Sequence, residues 1–295
     1  MLLLMDLMGF IVAGIDGVYW ATIMGLIFLI FGPRFSPTLI LRLYGAKPLS
    51  PVEAPSIYRI VEELSEKAKL PVLPRVYYIP SIMMNALSVG SHEDPIIALT
   101  DGLIRNLTLR ELRGVIAHEI SHIKHNDMKV MSVADTISRV TYIFSMSGQI
   151  LLILNLPLML IGTGAIPWLF ILLLIFAPTL SALMQLSLSR TREFDADLEA
   201  AKLTKDPLAL AMALKKIETY GTTFLKRILM PGSGIPEPSV FRTHPKTEER
   251  IKRLIEIAEE LQEKGELYDD NIPLLPQNIK EVNKRPRWHF GGIWY

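Results

Sequence analysis

"GQILLILNLPLMLIGTGAIPWLFILLLIFAPTLSALMQLSL", residues 148–188, lies in a longer run with no charged residue between Arg139 and Arg190. At about 1.5 Å per residue in a helix, the apolar block from Val140 to Leu188 has length for two crossings of a bilayer core about 30 Å thick. "GTGAIP", residues 162–167, supplies the Gly and Pro expected of the turn between them, and Pro157 and Pro178 fall inside the helices as sites for a kink. The stretch is therefore read as a transmembrane helical hairpin spanning residues 136–189, and the rest of the chain has to be arranged around it.

The chain has 295 residues, half of them hydrophobic, yet it holds 31 basic and 30 acidic residues. Its mean hydropathy is +0.31, so the charges must be gathered into soluble stretches that alternate with apolar ones. A net charge of +1 gives no reason to expect nucleic acid, whose phosphates ask for a clustered basic face. There is no cysteine, so any metal has to be held by His, Asp or Glu.

Residues 1–35 form the second membrane element. They are apolar to residue 31 apart from Asp6 and Asp16, with no Lys or Arg before Arg34 and no small-residue cleavage site. The expectation is an uncleaved anchor making one span near residues 8–31, with "GIDG" at 14–17 as a tolerated irregularity; a hairpin turning at "GIDG" is the alternative. Lys124, Lys129, Arg139, Arg190 and Arg192 flank the central hairpin while its turn has no basic residue. By the positive-inside rule the soluble parts face the cytoplasm, which makes the chain a multi-pass protein of the cell membrane.

The soluble remainder comes in two pieces, residues 36–135 and 190–275, read as two halves of one α+β domain interrupted by the hairpin. "APSIYRIVEELSEKAKL" opens with Pro55 suited to a first helical turn, and Ile57, Ile60, Val61 and Leu64 make one apolar face. "PRVYYIP", "IMMNALSV" and "PIIALT" are short β-like runs bounded by Pro and Gly. After the hairpin come "SRTREFDADLEAAKL", a helix opened by Asp206-Pro207, a Pro- and Gly-rich stretch at 231–238 and a charged helix after Pro245. The tail, residues 276–295, ends in "KRPRWHFGGIWY" and has no assignable role.

Chemistry gathers in "TLRELRGVIAHEISHIKHND". Thr108 and Glu111 have the spacing of a capping box, so His118 and His122 fall one turn apart on one face of a helix, with Glu119 between them. H-E-x-x-H is the pattern in which two imidazoles hold a zinc ion and the carboxylate takes a proton from the attacking water. A catalytic zinc needs a third protein ligand, and Glu193 in "SRTREFDAD" is the candidate, with Asp197 one turn on to accept the free N–H of a ligating His. The bland alternative for both acids is a solvated face beside Arg190 and Arg192. Asp195 points about 200° away from Glu193 on an ideal helix, and His125 reads as a helix-end residue or one that sits behind the ligands.

"HEISH", then "SRTREFDAD", then "RTHPKTEERI", in this order around an apolar hairpin, resembles the HtpX-type membrane zinc endopeptidases, relatives of the CAAX prenyl proteases. The likeness runs from "LYGAKPLS" to "TEERI". It implies a zincin-type catalytic domain with a small β-sheet, one Zn²⁺ per chain on His118, His122 and Glu193, and Glu119 as general base. The implied work is the cleavage of misfolded or damaged membrane proteins in quality control and stress response, with the lipid bilayer as surroundings. It also implies that Asn85 and Ala86 lie on an edge strand that receives substrate, that His244 steadies the oxyanion, and that Arg250 supports the site. Taken alone, Asn85 reads equally as a turn residue and His244-Pro245 as the start of a helix.

Rival readings are a CAAX-type protease of prenylated peptides and a noncatalytic zinc-binding membrane protein. The first calls for more spans than this chain has, and the second for a fourth ligand that is not evident. Oligomeric state is not legible in the residues.

Overall fold

The computed structural model describes residues 2–31, 37–161, 168–229, 247–264, 288–289 and 293–294. In chain order these form α1 (Leu2–Phe31), α2 (Pro37–Leu43), β1 (Lys47–Pro48), α3 (Pro55–Ala68), β2 (Arg75–Ile79), β3 (Ala86–Ser91) and β4 (Asp94–Thr100). There follow α4 (Asp101–Asn106), α5 (Leu109–Lys124), α6 (Asp127–Leu160), α7 (Trp168–Thr204), α8 (Pro207–Leu229), α9 (Thr247–Glu263), β5 (Trp288–His289) and β6 (Ile293–Trp294). They divide into two compact units, one of Met1–Arg34 with Lys129–Ser189, the other of Phe35–Met128 with Arg190–Tyr295. The expected turn "GTGAIP" at 162–167 lies outside the described residues.

The second unit is built on a four-stranded sheet in the order β1-β2-β4-β3. β2 and β4 run parallel with Val76 opposite Ile97, while β3 pairs antiparallel with β4, Ala86 opposite Leu99 and Ser91 opposite Asp94. Every residue of β4 from Pro95 to Thr100 is buried, because both faces of this strand are covered and alternate residues serve different cores. Ile97 and Leu99 join Val76 and the apolar faces of α3 and α5. Ile96 and Ala98 turn the other way, to Ile79 and to Leu41 of α2. In α3 the expected stripe of Ile57, Ile60, Val61 and Leu64 is buried, each side chain contributing about 2 kcal/mol of apolar transfer at most.

β3 is half-buried along its length, as befits an edge strand. Gly90 near its end has φ +104°, and a Cβ there would meet the Asp94 carbonyl oxygen at 2.1 Å, so only glycine closes this hairpin without distortion. Next to it, the His92 Nδ1 lies 3.1 Å from the Ile123 carbonyl oxygen of α5, tying the hairpin tip to the far end of that helix.

The first unit departs from the single N-terminal span expected from the sequence. α1 is broken at Ala13 and Gly14, where φ and ψ are −144° and 26°, then 62° and −142°. The chain doubles back, so that Thr22 Oγ1 donates to Asp6 Oδ1 at 3.0 Å and a Cβ on Gly9 would meet the Gly17 carbonyl oxygen at 2.3 Å. Small residues let the two limbs touch. Gly14 is the physical reason, since the left-handed backbone it adopts is strained for any residue with a side chain. The first limb, about a dozen residues and so about 18 Å long, is too short to cross a bilayer core by itself.

α6 and α7 are the two helices long and apolar enough to cross a membrane among the described residues. They lie side by side in opposite directions: Ser138 meets Ser181 and Gln185, Ser145 Oγ donates to the Ile175 carbonyl oxygen, and Gly148 faces Leu174. Pro157 and Pro178 sit inside them without ending either. Outward they present large apolar side chains, Ile150, Ile153, Phe176 and Leu183 among them, a surface that suits lipid better than water. α7 does not stop where its charges begin. The hairpin expected from the sequence ends at residue 189, and the helix continues past that point without a break to Thr204. At the other end of the chain β5 and β6 pair antiparallel, Trp288 opposite Trp294.

Candidate active site

The site starts from the cap of α5. Thr108 Oγ1 accepts from the Glu111 N–H while the Glu111 carboxylate accepts from the Thr108 N–H, the reciprocal capping box expected from the sequence. The helix phase is then fixed by its core side. Leu112, Ile116, Ile120 and Ile123 are buried against the sheet and α3, which turns His118 and His122 to another face, one turn apart. The helix ends at His125, and Asn126 takes φ 57°, a left-handed conformation that lets α6 restart at once with Asp127.

Three elements converge on the histidines of α5. His118 Nε2 and His122 Nε2 lie 3.1 Å apart. α7 brings Glu193, whose Oε2 is 3.5 Å from His118 Nε2 and whose Oε1 is 3.8 Å from His122 Nε2. One turn on, Asp197 Oδ1 lies 3.0 Å from His118 Nδ1. The start of α6 supplies Asp127, whose Oδ2 is 2.8 Å from His122 Nδ1 and whose Oδ1 is 3.2 Å from Arg192. α9 supplies Arg250, which donates to both Asp197 oxygens at 2.7 Å and reaches Glu193 Oε2 at 2.8 Å. Glu119 is buried, 8% exposed, and its charge acts on Arg250.

His118, His122 and Glu193 each offer one ligand atom within 4.8 Å of the others. A metal fits this donor set. Two nitrogens on one tetrahedral ion with bonds of 2.0–2.1 Å lie about 3.3 Å apart, close to the spacing of the two Nε2 atoms. Carboxylates occupy both Nδ1 atoms, which fixes the tautomers that leave Nε2 lone pairs facing inward. Burial works against charging His118, but the Asp197 hydrogen bond and Glu193 override it and raise its pKa to about 9.

The remaining sequence-derived residues are placed as follows. Asn85 is exposed just before β3; its N–H donates to Thr100 Oγ1 at 2.9 Å, its carbonyl oxygen accepts from Thr100, and Ala86 is the first residue of the edge strand. His125 is exposed and turns back to Ser121, and Asp195 is exposed, so neither joins the cluster. His244 lies outside the described residues. Sequence reasoning missed Asp127 and its partner Arg192. An Asp five residues past His122 would point elsewhere on a continuing helix; the signal was Asn126, a residue that tolerates the left-handed turn.

The model of peptidase family M48 matches residues 51–258. A Protease HtpX homolog of Paraburkholderia phytofirmans is 37% identical over 268 residues, 85% of this chain and 90% of that protein. One of Burkholderia thailandensis matches to the same identity and extent. The crystal structure of S. mikatae Ste24p aligns with a TM-score of 0.45 at 20% identity, covering 81% of this chain and 57% of that one. With its His-Glu-x-x-His helix inside the matched region, the chain belongs to peptidase family M48 and is a metallopeptidase.

Proposed function

We propose that the protein is a zinc-dependent endopeptidase of the cell membrane that cuts misfolded or damaged membrane proteins, its catalytic domain on the cytoplasmic side. The observation that carries this reading is the convergence of His118, His122 and Glu193 around a helix that buries Glu119 between the two histidines. His118 and His122 through Nε2, and Glu193 through one oxygen, would hold the zinc, which supplies Lewis-acid polarisation of the scissile carbonyl and of the attacking water.

The chain's own residues do the rest. Asp197 and Asp127 hold the imidazoles in one tautomer. Arg250 pairs with Glu193 Oε2 and so helps hold that carboxylate beside the two histidines. Glu119 takes a proton from the attacking water and passes it to the leaving amine, so no covalent enzyme intermediate is needed. β3, the edge strand of the sheet among the described residues, is where an extended substrate would add as a strand, with Asn85 and Ala86 at its head, and main-chain pairing of this kind recognises many sequences. His244 is assigned to the developing oxyanion; α9 begins three residues after it, and Arg250 of that helix reaches the ligands.

The continuity of α7 supports the membrane setting. Its apolar stretch and Glu193 share one helix, so along the chain the third ligand follows directly on a segment apolar enough to cross a membrane. The test is removal and return of the metal. Chelated protein should cut no unfolded membrane protein, and one equivalent of zinc should restore cleavage; cleavage that survives complete chelation would rule the reading out.

A further inference from the structure

The face of α5 that carries the histidines extends beyond them. Positions 111, 115, 118 and 122 fall on one helical stripe, so Glu111, Val115, His118 and His122 are aligned along it. At Glu111 the stripe runs into a cavity of about 680 Å³. Met84, immediately before Asn85 and the head of β3, lines one side, and Met212, Lys216 and Tyr220 of α8 line the other. α8 is held there by a close crossing: a Cβ on Gly114 would meet Leu210 N at 2.9 Å and Leu210 Cα at 3.0 Å. The cavity therefore has α5 as its floor, the start of the edge strand on one side and α8 on the other.

Its lining is mostly apolar, although Asn106, Lys215 and Thr219 add polar groups beside its acid. The Glu111 carboxylate accepts from Lys216 Nζ at 2.8 Å and from the Thr108 N–H at 2.8 Å, so its charge is already matched. Two thioethers and a phenol ring supply the apolar contacts for a guest, and methionines adapt to guests of varied shape. Burying a charged side chain against them would cost its hydration.

We propose that this cavity is a subsite for one side chain of the polypeptide being cut, a large apolar residue about three positions from the scissile bond. The distance sets the position. Seven residues of helix, about 10 Å, separate Glu111 from His118, and an extended peptide advances about 3.3 Å per residue. The inference rests on the reading that substrate lies along β3 beside α5.

The experiment maps cut sites in an unfolded protein with the zinc-loaded full chain, then measures matched peptides carrying Leu or Gly at the implicated position. Cut sites should be enriched in Leu, Met or Phe at one position two to four residues from the bond, on one side of it. Filling the cavity with Met212→Trp should lower the Leu-to-Gly ratio of kcat/KM about tenfold, the scale of a lost apolar contact. The same peptides are also titrated into zinc-loaded Glu119→Gln protein by fluorescence anisotropy, where the Leu peptide should bind more tightly and lose that advantage in the Met212→Trp background. An unchanged ratio, or equal binding of both peptides before the substitution, overturns the subsite. Selective binding without any cleavage by the wild-type chain would instead overturn the hydrolytic reading and leave the subsite standing.

Discussion

At the scale of residues, the site is held by charges around two imidazoles. His118 has a folded pKa of about 9, above the 6.5 of an ordinary histidine, and the cause is Asp197 and Glu193 prevailing over burial. The sign follows: this contribution to the metal-free fold is fully present below about pH 6.5 and is lost as pH rises through about 9. Metal-free protein should therefore melt at lower temperature at pH 9.5 than at pH 6, all else equal. Metal has to displace that proton, so zinc uptake near pH 7 should release it, measurable by calorimetry in buffers of different ionisation enthalpy. Asp127 acts through His122. Asp127→Asn should weaken zinc binding about 10- to 100-fold in competition with a chelator while the melting temperature of the zinc-saturated chain changes little.

His118, Glu119 and His122 were legible because a helix of fixed phase does the arranging, and Glu193 because a catalytic zinc needs a third donor. Asp127 was not, because its position depends on one left-handed residue that interrupts two helices. Arg250 was reached through family resemblance, since no local spacing connects α9 to α5.

At the scale of elements, α5 is a hinge of information: one face holds the histidines and the opposite side packs the core. Ile116 and Ile120 are completely buried beneath the site. Ile116→Ala should cost about 3 kcal/mol in denaturant unfolding of the unit that carries α5, with His118, His122 and Glu193 chemically intact. The strands were legible as short β-like runs bounded by Pro and Gly, and the stripe of α3 from its period. The order β1-β2-β4-β3 was not, because a parallel β2–β4 pair with β3 turned outside it depends on the hairpin at Gly90, not on any one strand's composition. The N-terminal segment shows the same limit: its apolar residues look alike in one span or two limbs, and Gly14 decides.

At the scale of the whole molecule, residues far apart in sequence are brought to one cluster by two long helices. α6 leaves directly after the histidine helix and α7 returns with Glu193 and Asp197, so the apolar block that dominates the sequence is also the connection between the two parts of the His–His–Glu cluster. This connection was legible in outline because charge-free length is a strong signal, while the unbroken passage of α7 into the site was hidden by the abrupt change in composition at Arg190. The central claim is hydrolysis by a metal site with Glu119 as base. The most direct measurement compares the purified, zinc-loaded chain with its Glu119→Gln variant on an unfolded membrane protein, recording bound zinc and cut sites together. One zinc per chain is expected in both and cleavage by the wild type alone; a Glu119→Gln protein that retains zinc and cuts at the wild-type rate would contradict the assignment of Glu119 as base.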